Sequence, residues 1–94
     1  MTHPTIIAID LGGTKLAGAL LSREGIVHER HTRPLGRAAG RDVGDQIVDL
    51  IGVLLRSSSS PDSAAIGICV PGISHADTGR VWAPNIPGWE EYPL

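Results

Sequence analysis

A short polar loop between two apolar stretches contains the residues best suited to chemistry: residues 10–15 read Asp-Leu-Gly-Gly-Thr-Lys. Paired glycines allow the backbone to adopt φ > 0 and bring its N–H groups close to an anion. The Thr14 hydroxyl adds a donor, Asp10 can hold Mg²⁺ through water, and Lys15 is the only lysine in the chain. This combination predicts a phosphate-binding loop, and an ordinary Gly-Gly hairpin turn is the alternative.

The loop matches neither of the common nucleotide-binding motifs. Both G-x-x-x-x-G-K-[ST] and G-x-G-x-x-G fail here, and a helix follows each of those motifs, whereas the residues after Lys15 read as a strand. P-loop and dinucleotide-binding Rossmann folds are therefore excluded. A β-hairpin whose tip cradles phosphate belongs to a different architecture.

Three short strands are expected to position this loop. Residues 5–10 form a β-branched apolar run that reads as a buried strand and delivers Asp10 to a sheet edge. Residues 15–21 and 26–33 read as the next two strands, joined by a polar turn that ends in Gly25. Connections this short leave no room for a parallel crossover, so the sequence predicts an antiparallel meander.

A helix and a fourth strand follow the meander. Asp42 is expected to be the N-cap of the helix, which should end near Arg56. Residues 64–70 read as a second fully buried strand that stops at Pro71. Strand, helix and strand at this spacing predict a right-handed crossover onto the same sheet. A short strand is expected around residues 80–83. The helical stripe consists of Val43, Ile47, Leu50, Ile51, Leu54 and Leu55.

Composition limits the class of protein. A chain of 94 residues is one small domain at most, and its core should be aliphatic because it contains no Phe and its few aromatic residues all lie at or after Trp82. The single cysteine, Cys69, excludes a disulfide framework and a Cys-based zinc cluster, which favours a reducing compartment, the cytoplasm. No apolar run approaches the ~20 residues needed to span a bilayer, so we expect no membrane association.

The charge pattern gives little support for a nucleic-acid or metal partner. The net charge is −2, and the Arg-rich stretch 23–41 lacks interleaved aromatic residues, so a solvated basic face is favoured over a nucleic-acid surface. His28 and His31 are three residues apart, which places them on opposite sides of a strand. A histidine metal pair is therefore not expected.

Several blocks of the sequence resemble a known family. Residues 7–20 look like the first phosphate motif of the actin-like sugar kinase and Hsp70 superfamily. Residues 66–72, 79–81 and 84–89 are similar, in this order, to blocks of the ROK family (repressors, open reading frames, kinases), which includes bacterial glucokinases. The resemblance covers essentially the whole chain. It implies an α/β fold, the N-terminal portion of an actin-like (ribonuclease H-like) ATPase lobe, with a mixed sheet made of an antiparallel meander, one crossover helix and a further parallel strand.

The resemblance also implies a reaction and a set of site residues. The reaction is transfer of the ATP γ-phosphate to a hexose hydroxyl between two lobes, with ATP and Mg²⁺ as cofactors, and the full-length protein is expected to be a homo-oligomer. The residues alone leave purely structural roles as alternatives to sugar binding. In that case Gly72 ends a strand, Arg80 is a surface charge and Asn85 holds a turn. The residues implied at the ATP phosphates and metal are Asp10, Gly12, Gly13, Thr14 and Lys15; those implied near the sugar are Gly72, Gly79, Arg80 and Asn85.

The family pattern places the catalytic base in an Asn-Asp-Ala-Asn-like motif after the Pro-Gly-Trp block, beyond Leu94. Residues 1–94 are therefore expected to be a partial N-terminal lobe without the C-terminal lobe, and to be inactive by themselves. One alternative is the sugar-sensing body of a ROK transcriptional repressor, which is disfavoured because only residues 1–4 precede the first strand. The other is a truncated product without catalysis.

Overall fold

The computed structural model describes residues 5–58 and 64–94, which form two β-sheets and a helix. The first sheet has the strand order β3-β2-β1-β4 and the second has the order β5-β6-β7. The elements are β1 (Thr5–Leu11), β2 (Lys15–Ser22), β3 (Val27–Pro34), α1 (Arg41–Ser57), β4 (Ala64–Cys69), β5 (Ile73–His75), β6 (Arg80–Trp82) and β7 (Tyr92–Pro93).

The first sheet confirms the predicted mixed topology. β1 pairs antiparallel with β2, and β2 pairs antiparallel with β3, because the turns between them are too short for a crossover. The connection through α1 is long enough to return the chain in the same direction, and β4 pairs parallel with β1. In this register Ile7 lies between Leu20 on one side and Ile66 on the other.

Helix α1 packs on one face of this sheet and buries the core. Glycine at position 18 lets the helix approach β2 closely: a Cβ there would lie 2.7 Å from Cδ2 of Leu50 and 3.1 Å from Cδ1 of Leu54. The core side chains of the two layers are Ile7, Ile9, Leu11, Leu16, Leu20, Val43, Ile47, Leu50 and Leu54.

The opposite face of the first sheet is open, which contradicts the prediction of fully buried strands. β1 alternates, with Ala8 and Asp10 exposed, and in β4 Ala65, Ile66 and Gly67 are all exposed. The physical reason is that α1 covers one face only and that β4 is an edge strand of its sheet. An apolar run therefore indicated the strand correctly but not its burial.

The start of α1 also differs from the prediction. The N-cap is Gly40, at φ 51 and ψ −125, with no side-chain hydrogen bond at the cap, and Asp42 lies within the first turn. There its carboxylate still favours the positive end of the helix. The backbone groups of Gly40 are instead bonded to Pro87 and Trp89, in a loop distant in the sequence. Across residues 5–58 and 64–94, no helix has the length and apolar character required to cross a membrane.

The second sheet shows that the core is not purely aliphatic. The expected strand near residues 80–83 is present as β6, but β5 and β7 pair with it and were not predicted. Trp89 is completely buried and stacks on Tyr92, with ring centroids 4.1 Å apart and planes 5° from parallel. The two aromatic residues pack on each other and on α1, so they need no aromatic partner earlier in the chain.

Two glycines of α1 give opposite predictions for the same substitution. Gly44 is buried against the Tyr92 side chain, where a Cβ would overlap the hydroxyl and lie 2.7 Å from Cζ. Gly44→Ala should therefore lower the free energy of unfolding by about 1–3 kcal/mol, the usual cost of overpacking. At Gly52 a Cβ would lie 3.4 Å from the flexible Arg56 guanidinium. Gly52→Ala should raise the free energy of unfolding by up to about 1 kcal/mol, since glycine weakens a helix interior. Urea denaturation of both variants measures this, and effects of the same sign would contradict it.

Candidate functional site

The predicted phosphate loop is the tip of the β1–β2 hairpin, between Leu11 and Lys15. It is closed by a hydrogen bond of 2.9 Å from the Gly12 N–H to the Lys15 carbonyl oxygen. Neither Gly12 nor Gly13 has a positive φ, so that part of the prediction was wrong. Gly12 instead allows a close approach, since a Cβ there would lie 3.3 Å from the Lys15 carbonyl oxygen. We refer to residues 12–15 as the phosphate loop.

The backbone of the phosphate loop is hydrogen-bonded to the segment after β3, and most of its residues are exposed. The Thr14 carbonyl accepts a hydrogen bond of 2.9 Å from the N–H of Leu35, a buried residue just after β3. Gly13, Thr14 and Lys15 are exposed. Within the described part of the chain, the N–H groups of Gly13 and Thr14 donate to no protein acceptor. Two adjacent free amide donors beside an exposed lysine fit an anionic group such as a phosphate.

Asp10 lies on the open face of the first sheet. It is exposed while Ile9 and Leu11 are buried, and its register partners are Ala17 on β2 and Cys69 on β4. In residues 5–58 and 64–94, no group of three or more His, Cys, Asp or Glu side chains that could hold a metal ion is found. A single carboxylate suits Mg²⁺, which keeps several waters and binds through one or two carboxylates and substrate phosphates.

Asn85 lies in a tight loop formed by residues 83–89, which we call the 83–89 loop. The Ala83 N–H donates to the Trp89 carbonyl at 2.8 Å and closes the loop, while the Ile86 N–H donates to the Ala83 carbonyl at 3.0 Å. Ala83, Ile86 and Trp89 point into the core, and Asn85 is exposed. The buried residues thus hold a rigid turn that presents the Asn85 side chain outward.

The structure brings Asn85 next to the phosphate loop. A Cβ built on Gly13 would lie 3.6 Å from Cβ of Asn85, which is ordinary van der Waals contact. A residue predicted at the phosphates and a residue predicted at the sugar therefore meet, although they are far apart in the sequence. The Asn85 amide can both donate to and accept from a hydroxyl group.

The other predicted sugar residues have structural contacts of their own. A Cβ on Gly72 would overlap the Trp82 carbonyl and lie 2.8 Å from Cα of Ala83, so glycine lets two backbones touch. Gly79 has φ 73 in the turn between β5 and β6, where its N–H donates to the His75 carbonyl at 2.8 Å. The Arg80 guanidinium donates to the Glu91 carbonyl at 2.9 Å, at the end of β6 remote from Asn85. Their role toward a sugar stays a prediction.

His31 of β3 takes part in a local contact. Nε2 of His31 lies 2.9 Å from Oε2 of Glu29, within hydrogen-bond distance. This bond, followed by one from Ser57, lowers the pKa of the Glu29 carboxyl below its usual value. The pair is half-buried on β3, an edge strand, and is not part of the phosphate loop.

Comparison with known proteins identifies the family. Residues 6–94 match the ROK family. The chain belongs to the ROK family. It is 31% identical over 90 residues to the glucokinase of Thermotoga maritima, covering 95% of this chain and 28% of that protein. It is 30% identical over 98 residues to the glucokinase of Halalkalibacterium halodurans, covering 100% of this chain and 29% of that protein.

A solved ROK structure confirms the fold class. The ROK family glucokinase from Streptomyces griseus, in complex with glucose and AMPPNP, is 30% identical to this chain and superimposes with a TM-score of 0.67. The match covers 96% of this chain and 28% of that protein. The mixed sheet with its helix is thus that of a ROK kinase N-terminal lobe, and the chain spans less than a third of the length of the relatives it matches.

The contacts of Gly72 make its structural role testable. Gly72→Ala should lower the free energy of unfolding by about 1–3 kcal/mol, because the added methyl meets backbone atoms that cannot rotate away. Gly67→Ala is the matched control, since a Cβ on this strand residue has no atom within 4 Å. Chemical denaturation compares the two, and a Gly72→Ala variant as stable as Gly67→Ala would contradict the close backbone approach.

Proposed function

We propose that this chain is the nucleotide-phosphate and sugar-contacting part of the N-terminal lobe of a two-lobe, ATP-dependent hexose kinase, most simply a glucokinase. The observation that carries the proposal is that Gly13 and Asn85 lie side by side, which sets free backbone donors beside an exposed amide side chain. The proposal is also supported by the curated relatives, both of which are glucokinases.

The phosphate loop would bind the ATP phosphates. The free N–H groups of Gly13 and Thr14 would donate to phosphate oxygens, and the exposed Lys15 would add a positive charge. Asp10 would hold Mg²⁺ through water, and the bound metal supplies neutralisation of charge on the transferring phosphoryl group. These donors cost no reorganisation when the substrate arrives, because Leu35 and the hairpin already hold the loop in place.

Asn85 would bind the sugar. Its amide would hold one hydroxyl group of a hexose beside the phosphate loop, so that the acceptor and the phosphate are neighbours. Phosphoryl transfer depends mainly on positioning and charge neutralisation, and this arrangement provides the positioning. By the family pattern the general base comes from a part of the protein outside residues 1–94, and Gly72, Gly79 and Arg80 would lie near the sugar.

A coupled assay with ATP, Mg²⁺ and a panel of hexoses tests the proposal on the intact protein that contains this segment. We expect ATP-dependent phosphorylation of at least one hexose. Sugar binding without ATP turnover would favour a ROK repressor body instead. A protein that neither binds nor phosphorylates a hexose would contradict the proposal.

Replacing Asn85 tests the sugar side of the site. Asn85→Leu keeps approximate volume but removes the amide, which should cost about 1–3 kcal/mol if the sugar contact is buried. The sugar KM should therefore rise about tenfold or more while the ATP KM changes little. Glu90→Gln, at an exposed residue just after the 83–89 loop, is the control. A lower melting temperature with an unchanged sugar KM would show that Asn85 only shapes its turn.

Replacing Gly13 tests the phosphate side. Gly13→Val places two methyl groups between the phosphate loop and Asn85 and should obstruct one charge-assisted hydrogen bond, raising the ATP KM about tenfold or more. Gly13→Ala is the control, because its Cβ has an ordinary contact of 3.6 Å and the backbone needs no positive φ. If the Gly13→Val variant keeps the ATP KM of the parent, the loop is an ordinary hairpin turn and does not bind the phosphates.

A further inference from the structure

The 83–89 loop is joined to the start of α1 through one residue, Gly40. The Gly40 N–H donates to the Pro87 carbonyl at 2.7 Å, and the Gly40 carbonyl accepts from Nε1 of Trp89 at 2.9 Å. The two backbones also touch, since a Cβ on Gly88 would lie 3.0 Å from Cα of Gly40. Both polar groups of Gly40 are thus used to hold the 83–89 loop.

The Trp89 ring is held by stacking as well as by its hydrogen bond to Gly40. Its indole is fully buried and stacks on Tyr92, whose hydroxyl packs on Gly44 in α1. Buried indole N–H groups normally find an acceptor, and here that acceptor is the Gly40 carbonyl. The ring therefore cannot turn without losing both its hydrogen bond and its stacking partner.

The segment that ends at Gly40 begins at Leu35, which is hydrogen-bonded to the phosphate loop. Leu35 donates its N–H to the Thr14 carbonyl, and its own carbonyl accepts from the Ala38 N–H at 3.0 Å. Residues 35–40 thus carry the phosphate loop at one end and the 83–89 loop at the other. We call this the 35–40 bracket. It is short and contains a hydrogen bond of its own, so it contributes to setting the distance between Asn85 and Gly13.

We propose that Trp89 is a positioning residue for sugar binding, which acts through Gly40 and the 35–40 bracket to hold Asn85 beside the phosphate loop. This inference rests on the proposed function. Trp89 is buried and does not itself reach the sugar; its indole N–H determines where the exposed amide of Asn85 stands. The bond from Leu35 to the phosphate loop lies at the other end of the bracket and does not involve Trp89, so we expect loss of the indole N–H to change the nucleotide side of the site less than the sugar side.

Trp89→Phe in the intact protein tests the inference, because it keeps an aromatic ring for Tyr92 but removes the N–H donor. We expect the sugar KM to rise about fivefold to tenfold, while the ATP KM changes by less than about twofold. The control is Trp82→Phe, at a half-exposed tryptophan whose indole makes no hydrogen bond within the described residues. A merely structural role would lower stability without separating the two KM values.

Gly88→Ala keeps the inference testable if Trp89→Phe fails to fold. It leaves the indole in place but strains the backbone at position 88, where φ is 86, and presses on the Gly40 backbone, so it should raise the sugar KM in the same selective way. A folded Trp89→Phe variant with the parent sugar KM, or an equal change in both KM values, would overturn the inference. So would a parent-like Gly88→Ala variant in the case where Trp89→Phe does not fold.

A second readout is independent of catalysis. Nuclear Overhauser contacts between Gly13 and Asn85 should be present in the parent protein and lost or weakened in Trp89→Phe, but retained in Trp82→Phe. If the parent does not phosphorylate any hexose, the proposed function fails while this measurement still decides whether Trp89 sets the position of Asn85. Retention of the contact in Trp89→Phe would overturn the inference.

Discussion

The hydrogen bonds of Gly40 join the two halves of this structure. On one side, α1 packs on the first sheet through an aliphatic layer in which Gly18 allows close approach to Leu50. On the other side, the 83–89 loop is tied to Gly40 by Pro87 and Trp89. Together with the close approach of Gly72 to Trp82 and Ala83, this joint holds Asn85 near the phosphate loop.

Close packing, and not an unusual dihedral angle, explains a group of glycines in this fold. Gly18, Gly44 and Gly72 each occupy a point where a Cβ would enter the space of a neighbour, and none of them has a positive φ. Gly12 belongs to the same group, since its neighbour is the Lys15 carbonyl. At Gly12 and Gly72 the neighbouring atoms are backbone atoms of Lys15, Trp82 and Ala83, so packed backbone helps to hold the phosphate loop and the start of the 83–89 loop.

The sequence predicted the local features of the site well and their relations poorly. The β1–β2 hairpin, its exposed Thr14 and Lys15, and the strand at Arg80 follow from residue type and short spacing, and ROK membership followed from the order of the blocks. The two ties of the 35–40 bracket were not predicted, because each joins a backbone group to a partner distant in the chain. No periodicity or turn signal reports such a partner.

The amino-acid sequence by itself determined the strand order of the meander, the helical stripe and the residues at the hairpin tip, because these depend on neighbours within a few positions. Only the tertiary structure decided which face of β4 is covered, why Gly40 and not Asp42 caps α1, and that Trp89 is part of the core. Burial and capping depend on what else packs nearby. In this ROK chain the deciding neighbours, α1 for the sheet and the 83–89 loop for Gly40, come into place only when the whole chain folds.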